Sequence, residues 1–289
     1  MTDLLALTAE LVDVPSVSRD EGALADLVEQ RLRACRWLVV DRLGDNVVAR
    51  TELDRPLRLL VVGHLDTVPA DGNERARIEA DVLWGLGAAD MKGGLAVALD
   101  LAETCPEPAV DVSYVFYARE EIAAAESGLA ELFELRPDLL EGDVALLGEP
   151  TGGVLEAGCQ GTMRLRVVLH GERSHTARPW MGRNAIHRLG RLLGAVEQLP
   201  ERRPVLAGCE YREALQAVGV EGGVAANVVP DRAELVLNHR FAPDRTAAEA
   251  EAHLRTWLGP FLEPADSMEV VDVAAAAPPS LDHPLLAAL

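Results

Sequence analysis

The apolar positions in the first half of the chain switch repeatedly between two periods. Leu24, Leu27, Val28 and Leu32 recur at helical spacing, and Ser18-Arg19-Asp20-Glu21 ahead of them reads as a capping box opening an amphipathic helix. Short β-rich runs follow at 37–41 and Asn46–Arg50, and then comes the strongly apolar run 57–63. Leu95, Val97 and Leu99 place a helix after Lys92, Asp111–Tyr117 reads as a strand, a helix follows Ile122, and 143–147 reads as another strand. Near-continuous apolar strands separated by helices predict an α/β sheet covered on both faces, because a strand buried on both sides has no polar face to show.

The texture changes near Gly161. Met163, Leu165, Val167 and Leu169 alternate with Arg164, Arg166 and Val168, the pattern of a sheet with one wet face. A helix over 184–199, two or three strands across 215–238 and a helix over 246–258 complete a β-α-β-β-α-β order. That is the ferredoxin-like arrangement, and its size suits a small inserted domain. The strand-like run 268–273 reads as leading back to the first domain, with the Ala/Pro stretch 274–279 as a hinge or crossover.

Composition narrows the class without assigning a function. Of 289 residues, 49% are apolar and 26% charged, the balance of a globular protein with ample core. A net charge of −20 argues against nucleic acid as a partner, since phosphate binding needs clustered Lys and Arg. An acidic cleft would instead attract divalent cations. The opening MTDLLALTAELVDVPS has no basic start, and no stretch reaches roughly 18 uninterrupted apolar residues. Neither a signal peptide nor a membrane span is expected, and the expected location is cytoplasmic. Cys35, Cys105, Cys159 and Cys209 lie far apart with no CxxC, which predicts free thiols rather than a disulfide framework or zinc finger.

Four segments deliver hard metal ligands at strand ends, where open α/β sheets build their sites. His64 and Asp66 follow the run 57–63. The pair fits a ligating imidazole with a carboxylate behind it, and also a loop histidine beside a capping Asp. The segment Gly85-Leu86-Gly87-Ala88-Ala89-Asp90-Met91-Lys92-Gly93-Gly94 lacks the GxxxxGK[ST] spacing of a phosphate loop. It does put Asp90 in a glycine-permissive turn at a helix start, and one carboxylate can bridge two ions. Glu120 and Glu121 follow the strand ending at Tyr117, where a strand-to-helix turn lets both reach one cavity, although a helix dipole would also favour two acids there. Glu149 follows the run 143–147. Mixed imidazole and carboxylate donors point to zinc, with cobalt or manganese as substitutes.

VVGHLDTVP, GLGAADMKGGLA, YAREE and LLGEPT, in this order and with these gaps, resemble the M20 metallopeptidase/aminoacylase family. Within it, HTARPWMGRNAIH and NHRFAPDR look closest to the succinyl-diaminopimelate desuccinylases. The resemblance implies a zinc-peptidase-like α/β catalytic domain with a covered mixed sheet (1–161), an inserted α+β ferredoxin-like lid and dimerisation domain (162–273), and a return to the catalytic domain (274–289). It also implies a homodimer through the lid and two zinc ions per subunit. His64 and Glu149 would hold one zinc, Asp90 would bridge with a cis peptide after it, and Glu121 would hold the second. Asp66 would orient His64, and Glu120 would be the general base.

Gly171-Glu172-Arg173-Ser174-His175-Thr176-Ala177-Arg178-Pro179 resembles the family's lid motif, whose histidine, here His175, helps to bind the oxyanion in the partner subunit's site. Asn227 and Arg240 match motifs that supply an amide and a guanidinium to the substrate, and Arg178 and Arg240 would clamp its carboxylates. The implied partner is a small N-acyl amino acid, N-succinyl-LL-2,6-diaminopimelate, cleaved to succinate and LL-2,6-diaminopimelate in lysine and diaminopimelate biosynthesis. An N-acetylornithine deacetylase-like enzyme, a dipeptidase, or a catalytically impaired metal-binding or dimerisation protein are the alternatives. The family's last metal ligand, a histidine near the C-terminus, has no counterpart among His170, His187, His239, His253 and His283. On this reading the sequence stops short of the full enzyme, truncated before that ligand.

Overall fold

In the computed structural model, which describes residues 3–286, the chain divides into two units. One runs to Leu155 and resumes at His283; the other spans Glu156–Asp282. The first contains α1 (Leu4–Val12), α2 (Gly22–Ala34), β1 (Val39–Leu43), β2 (Asn46–Arg50), β3 (Arg58–His64), the hairpin β4 (Arg77–Glu79) and β5 (Val82–Trp84), α3 (Gly93–Thr104), β6 (Asp111–Tyr117), α4 (Gly128–Leu135) and β7 (Val144–Leu147). Five strands form a mixed sheet in the order β1-β2-β6-β3-β7. β3 is parallel to β6 and β7, whereas β1, β2 and β6 are antiparallel neighbours.

Alternate side chains of β2 and β6 go to opposite layers, as the two-residue strand period requires. Val47, Ala49, Val112, Tyr114 and Phe116 pack with Leu7, Leu11, Leu24, Val28, Leu95 and Leu99 of the first three helices. Val48, Val115 and Tyr117 pack with Leu132 of α4 and with Leu139. β6, buried at every position, is the strand with no wet face. Each such Leu or Val taken fully from water contributes about 1.5–3 kcal/mol, so apolar burial in the two layers is the main force holding the helices on the sheet.

One local expectation changes, and two elements go unannounced. The capping box at 18–21 does not form: Glu21 is the N-cap of α2 and makes no side-chain cap bond. Ser18 is drawn instead to Asp66, and Glu21 to the Arg119 amide. α1 and the β4–β5 hairpin carry no periodic signal strong enough to announce them. α1 starts instead at Asp3, whose carboxylate accepts from the Leu5 and Ala6 amides.

The second unit contains β8 (Gly161–His170), β9 (Ser174–His175), α5 (Ala185–Glu197), β10 (Val205–Leu206), β11 (Cys209–Glu210), β12 (Ala214–Gly222), β13 (Val228–Val229), β14 (Arg232–Phe241), α6 (Ala247–Leu258) and β15 (Ser267–Ala274). Its main sheet is antiparallel throughout, in the order β12-β14-β8-β15. With α5 and α6 between strands, this is the ferredoxin-like order. Met163, Leu165, Val167, Leu169, Leu235 and Leu237 pack against Leu189, Leu192, Leu254 and Leu258 of the two helices.

The run 268–273 belongs to the second unit, and the chain returns to the first only at His283. The run lies in β15, which pairs along β8 from Val168 to Thr162. The 274–279 stretch stays with it, because Cys159 and Ala277 exchange two backbone hydrogen bonds of 2.9 Å. Among the described residues no helix is long and apolar enough to cross a membrane.

Candidate active site

Parallel pairing brings the carboxyl ends of three strands to one edge. His64 ends β3 and pairs with Tyr117, the end of β6, while Val62 pairs with Leu147, the end of β7. Residues just beyond Tyr117 and Leu147 therefore leave the sheet beside His64, and these are Glu120, Glu121 and Glu149. Asp90 arrives from a turn ahead of α3, where Gly87 has φ 74° and the Asp90–Met91 peptide is cis. Close approach needs glycine here: a Cβ on Gly94 would lie 2.4 Å from the Gly148 carbonyl oxygen. Two facing glycines thus let the start of α3 touch the strand exit that carries Glu149.

His64 is 1% exposed. Its Nδ1 lies 3.0 Å from the main-chain oxygen of Asp66 and 3.5 Å from Asp66 Oδ1. A carbonyl only accepts, so Nδ1 carries a proton and donates it, which leaves Nε2 to face the cluster. Nε2 is 3.0 Å from Asp90 Oδ1 and 3.9 Å from Glu149 Oε1. His64, Asp90 and Glu121 each offer one donor atom, and these atoms all lie within 4.8 Å of one another. One imidazole and several carboxylate oxygens form a donor set that fits a divalent cation of the zinc class.

The electrostatics agree. Burial alone would depress His64, but the carboxylates of Asp66, Glu149 and Asp90 outweigh it and raise its pKa to about 9. Burial pushes Glu121 above the ordinary carboxylate range, and Asp90 and Glu120 add to this by like-charge repulsion. Burial also raises Glu149, with the same neighbouring acids contributing. The edge therefore favours positive charge, whether proton or metal.

Asp66 is the hub beneath these groups. Its Oδ1 accepts from the Glu120 amide at 2.8 Å, and its Oδ2 from the Glu121 amide at 3.0 Å and the Ser18 hydroxyl at 2.6 Å. Burial would raise this carboxyl, yet His64, Ser18 and the two amides together hold it down at about 2. One ionised carboxylate thus fixes His64, Glu120 and Glu121 relative to each other.

Sequence reasoning missed the supporting residues Ser18, Glu21 and Lys92. Ser18 and Glu21 resembled a helix cap. Lys92, only 2% exposed, donates to the carbonyls of Leu11 at 3.0 Å and Val14 at 2.8 Å, satisfying the open end of α1. Burial lowers its ammonium to about 8. The one available signal was a lone cation, two residues after Asp90, in a segment otherwise of small and apolar residues.

The remaining candidates belong to the second unit, and all are exposed. His175 on β9 pairs with Val228 on β13, and Thr176 donates to the Asn227 carbonyl at 3.0 Å, so His175 and Asn227 share one short ribbon. His175 Nδ1 accepts from the Ala177 amide at 3.0 Å, which leaves Nε2–H as a donor in the neutral ring. Arg178 follows His175 three residues later, its amide donating to the His175 carbonyl at 2.8 Å. Arg240 lies on β14 opposite Thr162 and Ala214, away from that ribbon in the chain's order.

Comparison with known proteins adds independent evidence. The family described as a peptidase dimerisation domain (M20_dimer) matches residues 158–266, and peptidase family M28 matches residues 46–134. A Mycobacterium tuberculosis protein described as a candidate succinyl-diaminopimelate desuccinylase is 49% identical over 99% of this chain and 80% of its own length. The succinyl-diaminopimelate desuccinylase of Corynebacterium glutamicum is 41% identical over 99% of this chain and 79% of its own. In fold, an M20 family metallo-carboxypeptidase from Sulfolobus solfataricus superimposes with a TM-score of 0.74 at 18% identity, covering 100% of this chain and 82% of that one.

Proposed function

We propose, from the premise that this chain belongs to the M20 family of metallopeptidases and is a metal-dependent amidohydrolase, that it cleaves N-succinyl-LL-2,6-diaminopimelate to succinate and LL-2,6-diaminopimelate. The observation that carries this reading is the pair of relatives at 49% and 41% identity whose descriptions share that activity. The cluster at the sheet edge supplies the chemistry it needs.

In this reading His64 and Glu149 would hold one zinc ion and Glu121 a second, with Asp90 a ligand shared between them, and cobalt or manganese could substitute. An ion held there would supply the acidification of water and the polarisation of the scissile carbonyl. Glu120 takes the proton of the attacking water and returns it to the leaving amine, so that the C–N bond breaks to a free amine rather than an anion. Asp66 keeps Glu120 and His64 in register. The Nε2–H of His175 and the amide of Asn227 offer donors to the developing oxyanion. Arg178 and Arg240 bind substrate carboxylates, for which a planar guanidinium is well shaped.

A homodimer through the second unit is part of the same reading. It is supported by the dimerisation-domain match and by β12, an edge strand with Val218 58% and Val220 56% exposed. The test of function is succinate release from N-succinyl-LL-2,6-diaminopimelate by the purified protein, supplied with zinc and again after chelation. Release that depends on metal supports the proposal. Metal-dependent cleavage of N-acetylornithine or a dipeptide, with the succinyl substrate untouched, would replace it with the corresponding alternative.

A further inference from the structure

The two loops that present the acids are tied to one short segment, residues 16–21, between α1 and α2. The Ser16 hydroxyl donates to the Leu65 carbonyl at 2.8 Å. The Thr67 amide donates to the Ser16 carbonyl at 2.9 Å, and the Ser18 amide to the Thr67 carbonyl at 3.1 Å, so Val17 runs as a short parallel rung beside Thr67. From this rung two side chains reach further. Ser18 Oγ donates to Asp66 Oδ2 at 2.6 Å, and Glu21 Oε1 accepts the Arg119 amide at 3.0 Å.

The consequence lies in the turn after β6. Arg119 has φ 62°, a left-handed conformation that lets successive amides converge on anionic oxygens. Three consecutive amides are then held by carboxylates: Arg119 by Glu21, and Glu120 and Glu121 by Asp66. Glu21 is 0% exposed, and its second oxygen has no hydrogen-bond partner among the described residues. A carboxylate buried that deeply is costly unless it is hydrogen-bonded or paired. What it holds is the amide at the head of the turn that carries Glu120 and Glu121.

We propose that Ser18 and Glu21 are positioning residues for the amide hydrolysis: Ser18 acts through Asp66, Glu21 through the Arg119 amide, and together they set the placement of Glu120 and Glu121. The proposal rests on the assignment of Glu120 as base and Glu121 as metal ligand. Neither residue touches substrate. Both lie between the helix that begins the fold and the loop that performs the chemistry.

Four variants test it: Ser18→Ala, Ser18→Thr, Glu21→Ala and Glu21→Gln, each measured for kcat, KM, zinc affinity by chelator competition, and Tm. Ser18→Ala and Glu21→Ala are expected to lose about 10–100-fold in kcat, with KM nearly unchanged and zinc binding weakened severalfold. Ser18→Thr, which keeps the hydroxyl, and Glu21→Gln, which keeps an acceptor for the Arg119 amide, are expected to recover most of the loss. Values for both alanine variants within about twofold of the unaltered protein would overturn the proposal. So would losses confined to Tm, or a Ser18→Thr variant as poor as Ser18→Ala. If Glu21→Ala does not fold, the Ser18 pair decides alone. If the unaltered protein cleaves no N-acyl substrate, the functional reading fails, and the zinc-affinity comparison still decides whether the 16–21 segment positions Glu121.

Discussion

Acidification should empty the metal site well before it unfolds the chain. In the metal-free protein the His64 proton is held to about 9, so a cation that uses Nε2 must displace a proton at any neutral pH. Below that pKa, each pH unit lowers apparent affinity about tenfold through this one group, or about 1.4 kcal/mol. Between pH 8 and pH 6 the loss is therefore about a hundredfold, or about 3 kcal/mol. Glu121 and Glu149, both raised above the ordinary carboxylate range, steepen the fall at the acid end. The same shift reverses the stability slope of the metal-free chain. Because the folded pKa lies above the ordinary 6.5, the stabilisation is fully present below 6.5 and is lost as pH rises through about 9, a change of about 3 kcal/mol. Metal-loaded protein lacks this slope, since its His64 is already deprotonated. Calorimetry at pH 7 in two buffers of different ionisation enthalpy should show about one proton released for the ion that binds His64, and chelator competition from pH 6 to 9 should show the tenfold slope for that ion. An affinity flat across that range, or binding without proton release, would refute the reasoning.

Other consequences can be measured directly. Glu120→Gln should keep zinc affinity while turnover falls about 10²–10⁴-fold, and near-normal turnover would remove Glu120 from the role of base. Gly94→Ala puts a methyl 2.4 Å from the Gly148 carbonyl oxygen, backbone against backbone, so denaturant titration should show a loss of about 1–3 kcal/mol together with weaker zinc binding. In the second unit, the side chains of Arg188 and Asp266 are 5% and 0% exposed and are paired through two guanidinium nitrogens. Arg188→Leu strands that carboxylate and should cost about 3–5 kcal/mol in a denaturant melt. Burial would raise Asp266, but Arg188 and the His170 and Glu263 amides outweigh it. This part of the unit's stability is present above the ordinary carboxylate pKa and should be lost as pH falls through the lowered one, a loss the Arg188→Leu variant should not show in full.

Local pattern determined much about this protein. The strands Asn46–Arg50 and Asp111–Tyr117 coincide with the runs of β-forming residues that announce them. The reason is that a strand buried on both faces is apolar at most positions, and that requirement is written in consecutive residues; the buried Asp111 and Ser113 accept hydrogen bonds from Thr51 and Arg58. The acids that gather at the sheet edge were also legible, because each lies just past a strand end or at a helix start, and parallel strands place those ends together. Only the tertiary structure decided what supports them. Ser18 and Glu21 have the residue types and spacing of a helix cap, and both functions use the same oxygen atoms as hydrogen-bond partners. The choice between them depends on Asp66 and Arg119, 48 and 98 residues away. The burial of Lys92 at the end of α1, 78 to 81 residues distant, is of the same kind. So is the place of β15, whose position follows from pairing with β8, about a hundred residues earlier. Periodicity reports what a segment needs to bury; it carries no information on which distant partner meets the need, and that partner is what turns a row of acids into an ordered site.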